Sequence, residues 1–387
     1  MNLKTTSQDI SNNEGKLLSL QLLRCIAVVL VVNAHAIDNQ INLNIGESFQ
    51  QNFYFLENFG AVGVDIFFVL SGFIISLVAK KYLRLYGFRD FLIKRLIRVL
   101  PIYWIVTLIT IAFSVFTSNI SSLTSVNSPN RYFLKSFFIL PFFDGEYFRN
   151  PIIVQGWTLS FELYFYIVVA IFLISKSKYI VVTSFLFITS LVATGMVFYN
   201  NSNVIFKFIS NPINLEFVFG CIIGCIYSSK IQVSRSFSLV LNLIALIGLG
   251  VTLFVGYGDI GNHDNIVNGH LSMIRLLLWG VPCSLLVASL VFLESFVSKQ
   301  IPKFLILIGD ASYSIYLTQY LSLKILSDVW KSLKLTYPDV FIIISVGFSV
   351  LVGTIFYFTV EKKLINYLNR QYNCFCKKRD SLLIKSS

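Results

Sequence analysis

From Leu17 to Ile37 the chain reads LLSLQLLRCIAVVLVVNAHAI, an apolar run that nevertheless contains Arg24 and His35. About 18–20 apolar residues suffice to cross the ~30 Å hydrocarbon layer as a helix. Within that layer the backbone must satisfy its own hydrogen bonds, so a run of this length is restricted to helix. Ionisable side chains inside it are costly and are read by default as functional. Arg24 and His35 stand 11 positions apart, which on a helix leaves only ~20° of residual rotation and a rise of ~16 Å. Both therefore share one stripe, an arginine suited to an anion and a histidine suited to acid–base chemistry. On this helix alone the alternative stays open: Arg24 snorkelling at an interface and His35 hydrogen-bonded between helices.

Runs of the same kind recur along the chain, and they place it in the all-α class as a polytopic membrane helix bundle of about ten spans. The first covers 17–37 and the second 59–79. The third starts near Pro101 and runs to 117, followed by 152–175, 179–199, 213–227, 237–255, 274–292, 304–326 and 340–360. The composition, 56% hydrophobic and 13% charged, lies outside the ~45–50% apolar and ~25% charged of soluble domains. A net charge of +12 raises nucleic acid as a partner. However, the Lys and Arg residues cluster in alternate loops, as membrane orientation requires, with Arg131, Lys135, Arg149, Lys207, Lys331 and Lys334 as exceptions, so no nucleic acid is expected. The basic set holds the 80–98 segment, Lys176, Lys178, Lys230, Arg235, Lys299, Lys303 and the tail from Lys362. That set belongs inside the cell, which gives both termini a cytoplasmic location. The expected organisation is a polar cytoplasmic N-terminus over 1–16, a membrane domain over 17–361 and a basic cytoplasmic tail over 362–387. No cleavable signal peptide is expected.

The six cysteines make no disulfide framework, because Cys25, Cys221, Cys225 and Cys283 lie in apolar spans and Cys374 and Cys376 in the basic tail. Asp65, embedded in the second span ahead of Ser71, needs a cation from a neighbouring helix or a mechanistic role. The fourth span holds Trp157, Ser160 and Glu162. For Glu162 three roles stay open: general base, orienter of His35, or ion-pair partner. In KRLIRVLPIYW, Arg95 and Arg98 lie three apart and share a helix face. They form either a cationic shelf or a plain orientation signal, with Pro101 in the first turn of the helix that follows. Glu361 reads as an interfacial acid with local counter-charges at Lys362 and Lys363. His263, His270 and Asp264 match no standard metal spacing, and no metal is expected.

Five segments in this order resemble the acyltransferase 3 family, integral-membrane O-acyltransferases of surface polysaccharides and nodulation factors: LLRCIAVVLVVNAHA, GVDIFFVLSGFIIS, KRLIRVLPIYW, GWTLSFELYFY and GDASYSIYLTQY. The resemblance implies a cytoplasmic acyl-CoA donor, usually acetyl-CoA, and a hydroxyl of a surface polysaccharide or lipid-linked oligosaccharide as acceptor. It also implies a multi-pass protein of the plasma (inner) membrane. Carried onto this sequence, it makes His35 the catalytic base or acyl carrier and puts Arg24, Arg95 and Arg98 in the donor-binding group. Asp65, Ser71, Trp157, Ser160, Glu162 and Tyr313 fall within its motifs, with Glu162 a catalytic candidate. Many members carry a histidine where this chain has Gln319, which can hydrogen-bond but cannot titrate. The absence of an appended extracytoplasmic domain argues against peptidoglycan- and lipopolysaccharide-modifying relatives that carry one. Transfer of another acyl group such as succinyl, or a non-enzymatic transporter of glycan or acyl intermediates, are the alternatives. The long 118–150 loop is the expected acceptor contact.

Overall fold

The structure, a computed structural model, describes residues 17–53, 56–116, 129–144, 147–198, 203–229, 231–262 and 267–386. Among these, nine helices are long and apolar enough to cross a membrane. We number the long helices α1 (Leu18–Leu43), α2 (Ala61–Ala79), α3 (Gly87–Phe116), α4 (Gly156–Ile174), α5 (Ile180–Phe198), α6 (Asn214–Ser228), α7 (Arg235–Val255), α8 (Gly269–Phe292), α9 (Ser312–Ser332), α10 (Pro338–Phe356) and α11 (Lys362–Ser386). A π-helical turn, Tyr357–Glu361, joins α10 to α11 without a break. The chain is a polytopic α-helical membrane bundle.

Three expectations are corrected. The run 304–326 is not one helix: a short helix, Lys303–Asp310, meets α9 at Ala311. Apolarity alone does not mark α9 as a span, because Ser312, Ser314, Thr318, Gln319, Ser322 and Ser327 on it are buried inside the protein. Second, Pro101 is internal to α3 rather than at its start. The basic segment and the third span are one helix, and such a proline is tolerated where neighbouring groups satisfy the freed backbone. Tyr313 on α9 donates its hydroxyl to the Val99 carbonyl at 2.8 Å, two residues before the proline, whereas the carbonyl that Pro101 frees is that of Ile97. Third, the 118–150 loop holds a helix, Pro129–Phe137, and two short antiparallel strands, Phe142–Asp144 and Tyr147–Arg149. Residues 118–128, 145 and 146 of that expected acceptor contact lie outside the described residues.

Close packing follows from small residues. Gly220 and Gly224 on α6 form a G-x-x-x-G pair against α2, where an added Cβ at Gly220 would meet the Val69 carbonyl oxygen at 2.0 Å. Gly72 on α2 reciprocates, its Cβ position lying 2.0 Å from the Phe217 carbonyl oxygen. Without a hydrophobic drive between helices in lipid, such backbone approach supplies the van der Waals contact that holds them. Around this seam rings fill the core, with Phe161 on Phe208 at 4.1 Å and Phe217 at 4.7 Å from both Phe165 and Phe68. By contrast α7 is mostly unburied, exposing Leu239, Val240, Leu243, Ile244, Leu246 and Ile247, as a lipid-facing helix does. The N-terminus of α1 is capped from afar, where the Leu18 and Ser19 amides donate to the Glu294 carboxylate at 2.7 and 2.9 Å. An anion there also meets the positive end of the helix dipole.

Candidate active site

Two cavities lie in series along α1. The arginine cavity, about 80 Å³, is lined by Arg24 of α1, Phe67 and Ser71 of α2, Arg98 of α3, Thr158 and Glu162 of α4, and Ser312, Tyr313 and Tyr316 of α9. The histidine cavity, about 600 Å³, is lined by His35, Asp38 and Asn39 of α1 with Glu57, Gln155, Trp157, Asp259, Tyr316 and Tyr320. Val64 and Tyr316 border both. The Tyr316 hydroxyl hydrogen-bonds Thr158 Oγ1 at 2.9 Å, and Val64 and Tyr316 form the boundary that the two cavities share.

In the arginine cavity Ser71 donates to Glu162 Oε1 at 2.8 Å, and the Tyr166 hydroxyl donates to the same oxygen. Arg24 lies within electrostatic range of Arg98, Glu162 and Asp310. Among the described residues neither Arg24 nor Arg98 forms an ion pair. Arg95 sits one turn away, its guanidinium over the Phe91 and Tyr166 rings at 5.7 and 5.8 Å. A small cleft lined by Arg95, Glu162 and Tyr166 adjoins. Glu361, expected to pair with the adjacent lysines, is instead buried and accepts from Ser314 Oγ. The π turn rotates it inward, away from the exposed Lys362 and Lys363.

In the histidine cavity His35 Nδ1 lies 3.2 Å from Asp38 Oδ2, one turn on along α1. With Nδ1–H donating to that carboxylate, Nε2 is left as the acceptor. Glu162 lines the other cavity, so the carboxylate that orients His35 is Asp38. Glu57 stands above the usual carboxylate range, first because it is partly buried and second because Asp38 faces it.

The remaining motif residues act as structure. Asp65, fully buried, accepts from Arg275 of α8 at 2.6 and 3.0 Å, and Arg275 also donates to the Ala61 carbonyl at 3.1 Å. The fully buried Glu216 carboxyl lies beside the pair. Arg275 immediately precedes a π-helical turn, Leu276–Gly280, and its guanidinium lies 5.9 Å from the Trp157 ring. Ser160 donates to the Ile139 carbonyl at 2.9 Å, tying α4 to the loop before it. Gln319 lines neither cavity and donates to the Tyr316 carbonyl at 3.0 Å.

Sequence reasoning found Asp65 and its need for a cation but passed over Arg275 and Glu216. Both were visible by the same rule, as charges inside apolar runs. Asp38 was equally visible three residues after His35 on one helix. Glu57, Gln155, Asp259 and Glu294 carry no local signal, since only the tertiary fold brings them in. Among the described residues no cluster of His, Cys, Asp and Glu suits a metal ion; His263 and Asp264 lie outside them.

The geometry agrees with the similarity of the chain to known proteins. Residues 17–359 match the model of the acyltransferase domain of the acyltransferase 3 family. The exopolysaccharide production protein ExoZ of Rhizobium meliloti (strain 1021) is 30% identical over 319 residues, 79% of this chain and 90% of that protein. The O-acetyltransferase OatA of Staphylococcus aureus (strain NCTC 8325 / PS 47) is 27% identical over 281 residues, 67% of this chain and 45% of that protein. The putative peptidoglycan O-acetyltransferase YrhL of Bacillus subtilis (strain 168) is 28% identical over 235 residues, 54% of this chain and 33% of that protein. The chain thus matches less than half the length of these two O-acetyltransferases. No solved structure shows significant similarity. The chain belongs to the acyltransferase 3 family of multi-pass membrane acyltransferases.

Proposed function

We propose that the protein is an O-acyltransferase of the plasma membrane that moves an acyl group, acetyl first among candidates, from cytoplasmic acyl-CoA to a hydroxyl of a surface or lipid-linked glycan. The observation that carries this reading is the pair of cavities sharing Val64 and Tyr316, one holding arginines that form no ion pair among the described residues and the other holding His35. Both termini and the basic loops face the cytoplasm, which puts the arginine cavity on the donor side and His35 towards the acceptor.

The arginine cavity is narrow, which suits a thin thioester-bearing arm. The nucleotide of CoA would rest on the basic segment beneath, where Arg95 and Arg98 present planar forks suited to phosphate. Arg24 and Arg98 bind and orient the arm, and Glu162, fixed by Ser71 and Tyr166, limits where their guanidinium groups settle. At the boundary between the cavities the acceptor hydroxyl attacks the thioester carbonyl as His35 Nε2 takes its proton. The C–O bond forms, the C–S bond breaks, and the proton returns to the departing thiolate. Asp38 holds the imidazole and stabilises its charged form while it carries that proton. Acyl transfer through His35 itself is the second route.

The test uses purified protein in nanodiscs, with binding of radiolabelled acetyl-CoA and acetyl transfer to glycan read separately. His35→Ala is expected to lose ~10²–10⁴-fold in transfer while keeping donor binding, and Arg24→Met to lose donor binding. Wild-type transfer by a stably inserted His35→Ala protein refutes the assignment. No donor binding and no thioester turnover by the wild type favours a transporter, and the mass added to the glycan distinguishes acetyl from succinyl.

A further inference from the structure

The histidine cavity has a one-sided charge. Three carboxylates, Asp38, Glu57 and Asp259, line it together with His35, and no Lys or Arg is among its described lining residues. Gln155, which is 4% exposed, lines the same cavity and its side-chain oxygen has no hydrogen-bond donor. Trp157 supplies an aromatic wall. Carboxylates accept hydrogen bonds and donate none when ionised. A partner with several O–H or N–H donors and no negative charge satisfies this lining. An anionic one meets three like charges, of which Asp259 is exposed and Asp38 partly so, at a strength that salt screens.

We infer that the acceptor is a neutral or amino-bearing sugar unit, and that Asp38, Glu57 and Asp259 exclude uronate- and phosphate-bearing units from the histidine cavity. This rests on the proposed reading of that cavity as the acceptor site. Glu57 already stands above its usual range under burial and the charge of Asp38, so this wall responds to a further negative charge. Selection here comes from repulsion of the wrong partner as well as contact with the right one. Glu57 and Asp259 set the discrimination as specificity residues, whereas Asp38 also positions His35.

The test compares two probes of equal length, a neutral hexose tetrasaccharide and its counterpart with one glucuronate, with protein in nanodiscs and saturating acetyl-CoA. The readouts are glycan acetylation and, separately, glycan binding by quenching of tryptophan fluorescence. The wild type is expected to favour the neutral probe by about tenfold or more in kcat/KM, as expected for like charges at close range. The preference should shrink with added salt. The double variant Glu57→Gln/Asp259→Asn should narrow the gap by gaining on the glucuronate probe relative to the neutral one. Equal use of both probes by the wild type, or an unchanged gap in the double variant, overturns the inference. Binding of neither probe, with donor binding intact, refutes the acceptor-site reading itself.

Discussion

Replacing Arg275 by Met removes the cation from a cluster in which Asp65, Glu216 and Arg275 are all essentially unexposed. Two carboxyl groups would then remain in the bundle interior beside each other without a counter-charge. Breaking a buried pair by deleting one partner costs ~3–5 kcal/mol, a large part of the ~5–15 kcal/mol that holds a typical domain together. Asp65→Asn should cost less, because Glu216 lies within reach to take over Arg275. Thermal unfolding in detergent, followed by the fluorescence of buried Trp279, reads both variants. Arg275→Met is expected to lower the midpoint by on the order of 5–10 °C and Asp65→Asn by clearly less. A double variant, Asp65→Leu with Arg275→Met, should be less damaged than Arg275→Met alone. Equal effects from both single variants, each under about 1 kcal/mol, would refute the claim that this cluster acts as a desolvated unit.

Other expectations follow from single contacts. Arg95→Ala/Arg98→Ala should raise the acetyl-CoA requirement strongly while insertion and acceptor KM hold, which donor-concentration curves check; unchanged donor affinity would leave the segment as an orientation signal only. Gly220→Val should loosen α2 from α6, because its side chain would intrude on the Val69 carbonyl, and it should lower the unfolding midpoint more than Gly250→Val, whose site is open. Glu57→Gln bears on pH. The raised carboxyl of Glu57 imposes a penalty that appears as pH rises through its ordinary unfolded value and is complete above its folded one. The variant should therefore unfold at a higher temperature than wild type at neutral pH, with the difference vanishing below about pH 4; a constant difference across pH would show that charge is not the cause.

Much of the fold was legible because lipid permits few solutions. Hydrophobic runs mark helices, and alternate basic loops give an order to them. α9 was the helix least marked by apolarity, since it turns hydroxyls and Gln319 into the protein rather than Leu and Val into lipid. The start of α3 was misplaced because Pro101 is a start signal in water, whereas in this bundle it sits mid-helix. At the site, α1 announced Arg24 and His35 through their cost and spacing, and Asp65 announced its need for a partner. That Val64 and Tyr316 bound both cavities could not be read, although both fall within the family motifs, because only the tertiary fold brings α2 and α9 together there. Nor could the sequence say that Glu162 and His35 occupy different cavities, since proximity between α1 and α4 is a tertiary property. Gln319 lines neither cavity and donates to the backbone carbonyl of Tyr316, which borders both.

Donor and acceptor are proposed to enter from opposite faces and to meet at the Val64–Tyr316 boundary. Proteoliposomes with the protein in one orientation test it directly, with acetyl-CoA confined to the face carrying the basic segment and a membrane-impermeant oligosaccharide confined to the other. The account predicts acetylated oligosaccharide in this arrangement, and loss of it when acetyl-CoA is moved to the oligosaccharide's face. Equal acetylation with both substrates on one face would contradict it.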